Sequence, residues 1–592
     1  MKEFVKMTLA AMLGFFLIGV VFFFFSLAII GSIAALGSSQ PVMPRTAVLS
    51  LDFSKFTVSE QTTEADPISQ LQGNNTAVVG IWSAIQAIDA AAADPAIKYM
   101  FMRPDMASGG IAEIEELRSA IENFRNSGKA VVSYMETPTN AGYYLASASD
   151  KIFMSSHEGT MNMISGFSAR LIFLKDILDK LGVNVQLIRH GKYKSAGEMY
   201  IRSEASPENL LQNQEMVDAI WDNWTSTIAS AREISQSDFN ALIDNLELNF
   251  SEDFLDNGLV DELLTKDQLR QKLSDLYDAG ETKDVPMVSL ADYAKLKVMP
   301  NFKAKNKIAI IYANGNIVDG NEPEQVAGDR FASIISKVRQ DSTVKAVVFR
   351  VSSPGGSVFA SEKIKSEIDL LRADKPVIAS YGAYAASGGY WISSTCDYIF
   401  TNAGTLTGSI GVFSMVPDFS KTLKDIAHVN ITNVTTNRHG DMYSGTRPLD
   451  KEETAYMQAS VERIYDRFTS IVAEGRDLDK DFVDSIAQGR VWAGSDALEL
   501  GLVDRIGTIK DAVIYAAASA GSSYGQDLSD WQIVEYPKPL TTMEKIMETF
   551  GGSSAKVFAG TPLEDVEEAF TGWKNTESGK VYARIPYEIE IR

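Results

Sequence analysis

The sequence contains very little cysteine and histidine. Cys396 is the single cysteine among 592 residues, which excludes an internal disulfide framework and a cysteine-based zinc site. Four histidines are present, and none of them lies between His190 and His428. The sequence shows no H-E-x-x-H pattern or other cluster of metal-ligating residues, so we expect neither a metal ion nor a cofactor.

Basic residues are also scarce. Lysine and arginine together number 55 against 77 aspartates and glutamates, and the formal net charge is -22. Proteins that bind nucleic acid need basic patches, so the charge argues against a nucleic-acid partner. A hydrophobic content of 45% with 22% charged residues is typical of a globular protein. The length predicts two or more domains.

Only one long hydrophobic run occurs, and it lies near the N-terminus. The 29 residues from Thr8 to Leu36 carry no charge. A helix needs about 20 apolar residues to span a bilayer, whereas the core of a signal peptide has only about 7–15. The run therefore favours a retained membrane anchor, although small residues at 35–37 leave cleavage open. Lys2 and Lys6 precede the run, which predicts a cytoplasmic N-terminus with the rest of the chain outside the cytoplasm.

The chain repeats itself. The segment DPAIKYMFMRP, which begins at Asp94, resembles DSTVKAVVFRV, which begins at Asp341. AGYYLASASDKIF at Ala141 likewise resembles GGYWISSTCDYIF at Gly388, and both pairs are separated by 247 positions. A fixed separation of this kind indicates an internal duplication.

The duplication divides the chain into five parts. They are an anchor and short linker at 1–45, an N-terminal repeat at 46–270, a connector at 271–306, a C-terminal repeat at 307–520 and an extension of unknown role at 521–592. In each repeat, strand-like apolar runs alternate with helical stretches. This alternation predicts βαβ crossovers and an α/β fold.

The two copies differ at positions that can carry chemistry. Ser387 lies among small residues in YAASGGYW, where the first copy has Asn140, and Lys194 in GKYKSAG is matched by Tyr443 in the second copy. One copy keeps a hydroxyl and the other keeps an amine, a complementary loss that packing does not explain. A lysine whose pKa is lowered by burial can act as general base toward a serine. We therefore predict a Ser387–Lys194 dyad, formed within one chain or between two subunits.

Two further stretches of the second copy fit this chemistry. The turn at 353–357 contains adjacent glycines, whose backbone N–H groups can face a ligand and stabilise an oxyanion, and Gly388 can present a second N–H. An ordinary turn is the alternative interpretation. In TLTGSIGVF, Ser409 can hydrogen-bond the lysine amine, and a plain strand is the alternative there.

A mechanism based on histidine is the rival. His190 and His439 occupy matching positions in the RHG segments of the two copies. A residue that both copies retain serves the fold of each repeat more readily than it serves one active site. The sequence therefore favours the lysine over a Ser-His-Asp triad.

Together, these features resemble the long, duplicated form of bacterial signal peptide peptidase A. The resemblance rests on the N-terminal run, the tandem repeat, GKYKSA in the first half, and YAASGGYWIS with TLTGSIG in the second half; it extends to about residue 520. It implies tandem ClpP/crotonase-like domains (a ββα superhelix) after one transmembrane helix. It also implies a serine peptidase of the bacterial inner membrane, with its catalytic domains on the periplasmic side.

The resemblance also implies partners and roles for individual residues. The substrates would be remnant signal peptides, and the long form would assemble as a bowl-shaped tetramer. Ser387 would be the nucleophile, Lys194 the general base and Ser409 the residue that orients the lysine. The N–H groups of Gly356 and Gly388 would form the oxyanion hole, and no cofactor would be needed.

Two other functions stay open on the sequence. One is a catalytically inactive crotonase-like scaffold that binds peptides or membrane proteins. The other is a crotonase acting on acyl-CoA, which the expected location outside the cytoplasm and the serine–lysine exchange disfavour.

Overall fold

The computed structural model describes residues 41–63, 76–278, 285–522, 528–539 and 580–585, with a few positions before residue 41. The hydrophobic run at 8–36 lies largely outside the described residues. Among the residues that the structure does describe, no helix has both the length and the apolar character needed to cross a membrane.

The N-terminal repeat alternates strands and helices as the sequence predicts. Its strands are β1 (Ala47–Asp52), β2 (Phe56–Ser59), β3 (Ala77–Gly80), β4 (Ile97–Arg103), β5 (Val131–Met135), β6 (Lys151–Ser155), β7 (Asn184–Arg189), β8 (Glu262–Leu264) and β9 (Met287–Ser289). Its helices are α1 (Ile81–Ala93), α2 (Ile111–Asn126), α3 (Asn140–Ala146), α4 (Lys175–Lys180), α5 (Glu198–Ile201), α6 (Pro207–Arg232), α7 (Gln236–Asp244), α8 (Ser251–Asp256), α9 (Lys266–Tyr277) and α10 (Leu290–Lys297).

The C-terminal repeat follows the same plan. Its strands are β10 (Asn306–Asn314), β11 (Ile317–Val318), β12 (Val326–Ala327), β13 (Val344–Ser353), β14 (Gly355–Ser357), β15 (Val377–Ala386), β16 (Tyr398–Thr401), β17 (Leu406–Gly408), β18 (Phe413–Asp418), β19 (Val491–Ala493), β20 (Arg505–Ile506), β21 (Trp531–Tyr536) and β22 (Val581–Arg584). Its helices are α11 (Gly328–Gln340), α12 (Val358–Asp374), α13 (Gly388–Trp391), α14 (Lys451–Arg476), α15 (Lys480–Ile486), α16 (Gly494–Glu499) and α17 (Ile509–Ser519), with short π and 3₁₀ turns at Thr422–Ile426 and Leu528–Asp530.

The two main sheets share one strand order. The first runs β8-β6-β5-β4-β1-β9, and the second contains the path β20-β16-β15-β13-β10-β21 with β17 and β19 added beside β15. The neighbouring strands on these two shared paths are parallel. Central strands such as β13 and β15 are apolar and buried on both faces, as helices on each side of a parallel sheet require. The fold is thus a duplicated α/β architecture.

The shared order extends past the limits that the sequence comparison indicates. Strand β9 and helix α10 fall in the segment assigned to a connector at 271–306, yet β9 pairs with β1 as an edge strand. Strand β21 falls in the C-terminal extension and pairs with β10 in the same way. These edge strands differ in length and composition, so sequence similarity does not reveal their equivalence.

A third sheet joins the two repeats. Its order is β12-β11-β14-β22-β18-β7. Strand β7 comes from the N-terminal repeat and pairs antiparallel with β18 of the C-terminal repeat, from Arg189 opposite Phe413 to Asn184 opposite Asp418. A buried arginine, Arg350 of β13, adds ionic contacts across the same boundary, to Glu60 and Glu116 at 2.7 Å each. Both repeats therefore contribute to one folded unit.

Candidate active site

The candidate site lies at one edge of the second sheet. Strands β13, β15 and β17 are parallel neighbours, so their carboxyl ends meet at this edge. The glycine-containing turn follows β13, Ser387 follows β15 and Ser409 follows β17. Ligands of open α/β sheets bind in the crevice outside the carboxyl ends of the strands. Three of the segments predicted from the sequence therefore lie at the carboxyl ends of these strands, where a ligand is expected to bind.

Ser387 occupies a strained turn between β15 and α13. Its φ and ψ are 56° and -112°, values that a residue with a side chain rarely adopts. Its N–H donates to the carbonyl of Gly408 at 2.8 Å, which ties the turn to β17. The side chain is fully buried. Its hydroxyl is thus held in one place at the start of a helix.

Lys194 reaches this hydroxyl from the other repeat. Its Nζ lies 2.7 Å from the Oγ of Ser387, 3.0 Å from the Oγ of Ser409 and 3.1 Å from the carbonyl oxygen of Ser409. Only 1% of Lys194 is exposed. All four atoms belong to one chain, so the contact needs no second subunit.

The electrostatics of the lysine are unusual. The three oxygens that contact its amine are neutral, and burial lowers the pKa of Lys194 well below the usual range of a lysine. Removal from water disfavours the ammonium form, and among the described residues no carboxylate pairs with the amine to compensate for it. A neutral amine can donate to the Ser409 carbonyl and accept the proton of the Ser387 hydroxyl. The arrangement can therefore take a proton from the serine.

A glycine that the sequence analysis did not select holds the lysine in place. Gly489, on the loop before β19, has a φ of 81°, and a Cβ built there would lie 2.6 Å from the Cβ of Lys194 and 2.7 Å from its Cα. Only glycine lets this loop approach so closely. The loop also accepts the N–H of Tyr193 at the carbonyl of Gln488, at 3.0 Å. No local motif marks this position, because the contact joins residues almost 300 positions apart.

The glycine turn lies directly beside the serine. Gly355 has a φ of 99°, and a Cβ built on it would lie 2.7 Å from the backbone nitrogen of Gly388 and would collide with the carbonyl oxygen of Ala583. A side chain at position 355 would therefore fill the space beside the N–H groups of Gly356 and Gly388, which are the predicted oxyanion donors. Only glycine leaves this space open. The sequence predicts the two donors, whereas the requirement for glycine at position 355 becomes visible only in the fold.

The corresponding positions of the first half carry structural roles. Asn140, the counterpart of Ser387, donates from its side chain to the carbonyl of Gly166 at 3.0 Å and starts helix α3. Tyr443, the counterpart of Lys194, is half-exposed and contacts Met457. Ser387 of one copy and Lys194 of the other thus meet at a single site. Their counterparts, Asn140 and Tyr443, form no second serine–lysine pair.

The histidine that the rival mechanism would need lies elsewhere. The Nδ1 of His190 is 2.6 Å from a carboxylate oxygen of Glu462, and its ring stacks on Tyr465 with the centroids 3.7 Å apart. His439 likewise contacts Glu453, at 2.9 Å. Both histidines thus pair with glutamates of helix α14, and neither takes part in the contact between Ser387 and Lys194.

A cavity lies near the glycine turn. The cavity measures about 580 Å³ and lies beside Ser357 at the start of α12. Its lining includes Asp319, Phe359, Glu362, Ile464 and Val581. The space is large enough to receive a side chain of a peptide lying along β14.

Comparisons with known proteins agree with the duplicated architecture. The profile of Peptidase family S49 matches residues 123–280 and 369–523, one segment in each half. The chain is 38% identical to "Protease 4" of Haemophilus influenzae over 76% of this chain and 74% of that protein. It is 30% identical to "Serine protease SPPA, chloroplastic" of Arabidopsis thaliana over 78% of this chain and 68% of that one. A shorter relative, "Putative signal peptide peptidase SppA" of Enterococcus faecium, is 34% identical over 40% of this chain and 69% of its own length. The chain therefore belongs to peptidase family S49 and is a serine peptidase with two S49 regions.

Proposed function

We propose that this protein is a membrane-anchored endopeptidase that hydrolyses peptide bonds in cleaved signal peptides, with Ser387 as nucleophile and Lys194 as general base. The contact of 2.7 Å between the Lys194 amine and the Ser387 hydroxyl supports this proposal most directly. The pKa of this lysine is lowered well below its usual range by burial, so its amine is neutral, and available as a base, at a lower pH than that of an ordinary lysine.

In the first half of the reaction, the Lys194 amine takes the proton of the Ser387 hydroxyl as Oγ attacks the carbonyl carbon of the substrate. The resulting ammonium is held by the carbonyl and hydroxyl oxygens of Ser409. It returns the proton to the leaving amine when the peptide bond breaks. An acyl-enzyme ester on Ser387 remains.

In the second half, water replaces the leaving amine. Lys194 takes a proton from the water, which attacks the ester, and the serine hydroxyl is regenerated. The tetrahedral intermediate of each half carries its negative charge on the former carbonyl oxygen. The N–H groups of Gly356 and Gly388 stabilise that charge.

The substrate binds as an extended strand between β14 and β18, where it takes the place that β22 holds in this structure. Backbone hydrogen bonds on both sides give affinity that does not depend on sequence, and side-chain pockets add selectivity. This slot admits a single extended chain, so short unfolded peptides are preferred over folded proteins. A released signal peptide is such a chain. The name of the Enterococcus faecium relative agrees with this substrate class.

The uncharged run from Thr8 to Leu36 anchors the protein in the inner membrane, with both repeats on the periplasmic side. This placement brings the site to the membrane where signal peptides are released. The protein assembles as a homo-tetramer with ClpP/crotonase-like subunits. The family resemblance of the sequence supports the assembly and the fold type.

The experiment is a peptidase assay on the full-length chain in detergent, with an apolar signal-peptide sequence as substrate. Ser387→Ala and Lys194→Ala should reduce hydrolysis to background. Lys192→Ala is the matched control, because Lys192 lies two positions away on the same segment but is exposed. Equal hydrolysis by all four proteins would reject the dyad, and hydrolysis of a folded protein at the same rate would reject the substrate class.

A further inference from the structure

An acidic side chain lies beside the slot in which the substrate is proposed to bind. Asp319 directly follows β11, and β11 pairs with β14 on the side away from that slot. Gly320, with a φ of 84°, turns the chain after it, and its carbonyl accepts the N–H of Asp329 at 3.0 Å. Ser357, the N-cap of α12, donates its hydroxyl to Oδ1 of Asp319 at 2.7 Å. The carboxylate is therefore held in one orientation next to the glycine turn.

The second oxygen of this carboxylate faces a cation. The Nζ of Lys580 lies 2.7 Å from Oδ2 of Asp319, and the two side chains are 39% and 28% exposed. Partial burial opposes the charge of Asp319, but the hydrogen bonds from Lys580 and Ser357 hold its pKa below the usual range. Lys580 immediately precedes β22, the strand whose place a substrate takes. The cation of Asp319 thus comes from a part of the chain that a substrate displaces.

Two other carboxylates line the same cavity, and both have cations that stay in place. Asp329 pairs with Lys363 of α12 at 2.5 Å, and Glu362 pairs with Arg467 of α14 at 3.0 Å. Neither helix lies in the slot. Within the described part of the chain, Asp319 makes no ion pair except the one just described. Displacement of β22 therefore leaves Asp319 as the carboxylate of this cavity that needs a new counter-ion.

The cavity has room for the whole of a lysine side chain. Its volume is about 580 Å³, and Phe359, Ile464 and Val581 form an apolar part of its wall. A lysine buries its methylene stem along apolar surface and keeps its charged amine at a polar group. A substrate lysine can therefore lay its stem along Phe359 and Ile464 while its amine contacts Asp319.

The residues around this contact follow the order of a signal peptide. Lys580 is followed by Val581, Tyr582 and Ala583, so a cation precedes an apolar stretch. A signal peptide likewise carries its positive charges before its apolar core. Ala583 lies opposite Gly356, one of the two proposed oxyanion donors. A substrate residue in the place of Ala583 would therefore present its carbonyl to the dyad, and the residue three positions earlier would reach Asp319.

We propose that Asp319 selects substrates with a lysine at the fourth residue before the cleaved bond. This inference rests on the proposed function, because it describes how the same site chooses its peptides. Asp319 is a specificity-determining residue and takes no part in the acyl transfer. The consequence for a signal peptide is that its last basic residue sets the register, so the cut falls near the start of the apolar core.

The test is a pair of unfolded peptides that differ only at this position, with lysine in one and methionine in the other. The full-length chain in detergent cleaves them, and the masses of the products identify the bond. For the wild type, kcat/KM should be about fivefold higher with lysine, the upper range for an ion pair of this exposure. The ratio should fall to about one in Asp319→Asn. In Asp319→Lys the preference should reverse, so that a peptide with glutamate at this position is favoured over the lysine peptide.

Two controls separate this contact from a general effect of charge. Glu322→Gln removes an exposed negative charge from the same loop and should keep the wild-type ratio. A peptide with its lysine at the second residue before the bond should gain no advantage over methionine. That position corresponds to Tyr582, whose ring lies against Phe413 with the centroids 6.2 Å apart.

The outcomes for this inference and for the proposed function differ. A wild-type protein that cleaves both peptides equally well overturns the lysine preference and leaves the proposed function standing. A wild-type protein that cleaves neither peptide overturns both. A preference that survives in Asp319→Asn or disappears in Glu322→Gln contradicts a role for this carboxylate in recognition. Loss of activity toward both peptides in Asp319→Asn would assign the residue to the fold and would also contradict the proposal.

Discussion

Replacement of Lys194 by methionine should abolish activity and stabilise the fold. The amine of Lys194 lies 2.7 Å from the serine hydroxyl and contacts only neutral oxygens in a site that is 1% exposed. A general base contributes about 10²–10⁴-fold to the rate, so hydrolysis of a signal peptide by Lys194→Met should fall by about that factor. Methionine is unbranched and fills a buried site without a charge to desolvate.

The stability change follows from proton linkage. Burial lowers the pKa of Lys194, so between that pKa and about 10.4 the unfolded chain holds one more proton than the folded chain. Wild-type stability should therefore rise with pH across this range, by about 1.4 kcal/mol per pH unit from this group. Lys194→Met lacks this contribution. The free energy of unfolding of Lys194→Met should exceed that of the lysine-containing protein most at low pH. This difference should decrease by about 1.4 kcal/mol for each pH unit as the pH rises.

Urea unfolding at pH 7, 8 and 9 measures this difference. Both chains carry Ser387→Ala, so that neither can hydrolyse unfolded protein during the measurement, and other titrating groups cancel in the comparison. Lys192→Met, which changes an exposed lysine of the same segment, should leave stability and activity nearly unchanged. If the two unfolding free energies keep a constant difference across these pH values, Lys194 is charged in the folded protein and the reasoning fails.

Three further substitutions test the surroundings of the dyad and the boundary between the repeats. Ser409→Ala removes one of the oxygens that hold the lysine amine; a hydrogen bond contributes about 1 kcal/mol, so kcat/KM should fall roughly fivefold, and an unchanged value would deny this residue an orienting role. Gly355→Ala places a methyl group in the proposed oxyanion hole and should lower kcat by about 10²–10³; a wild-type kcat would contradict the proposed hole. Arg350→Met leaves Glu60 and Glu116 buried without their counter-ion and should destabilise the protein by about 3–5 kcal/mol in thermal unfolding, whereas changing both carboxylates to amides as well should restore much of the loss.

The repeat is the part of the fold that the sequence predicts best. The constant separation of 247 positions covers the central strands, and these strands occupy the same order in the two sheets. The equivalence of the edge strands β9 and β21 could not be detected from the sequence, because many different sequences can form an edge strand. The antiparallel pairing of β7 with β18 could not be predicted either, since no local sequence pattern specifies which strands of the two halves pair.

The site was predicted from one difference between the copies: the second copy keeps the serine and lacks the lysine, whereas the first copy keeps the lysine and lacks the serine. It selected Ser387 and Lys194, and the structure places their side chains in contact, together with Ser409. The same comparison could not select Gly355 or Gly489, because their importance comes from backbone atoms that other parts of the chain bring close to them. Such requirements become visible only when the fold is known.

Labelling of Ser387 by a serine-reactive peptide phosphonate tests most directly whether a neutral lysine activates the serine. In the wild-type protein, the labelling rate should rise with pH through the lowered pKa of Lys194 and then level off, because the fraction of neutral amine increases. In Lys194→Met the label should attach at least about 100-fold more slowly than in the wild type at the pH where the wild-type rate has levelled off. Equal rates in the two proteins, or a label attached to another residue, would contradict the central claim.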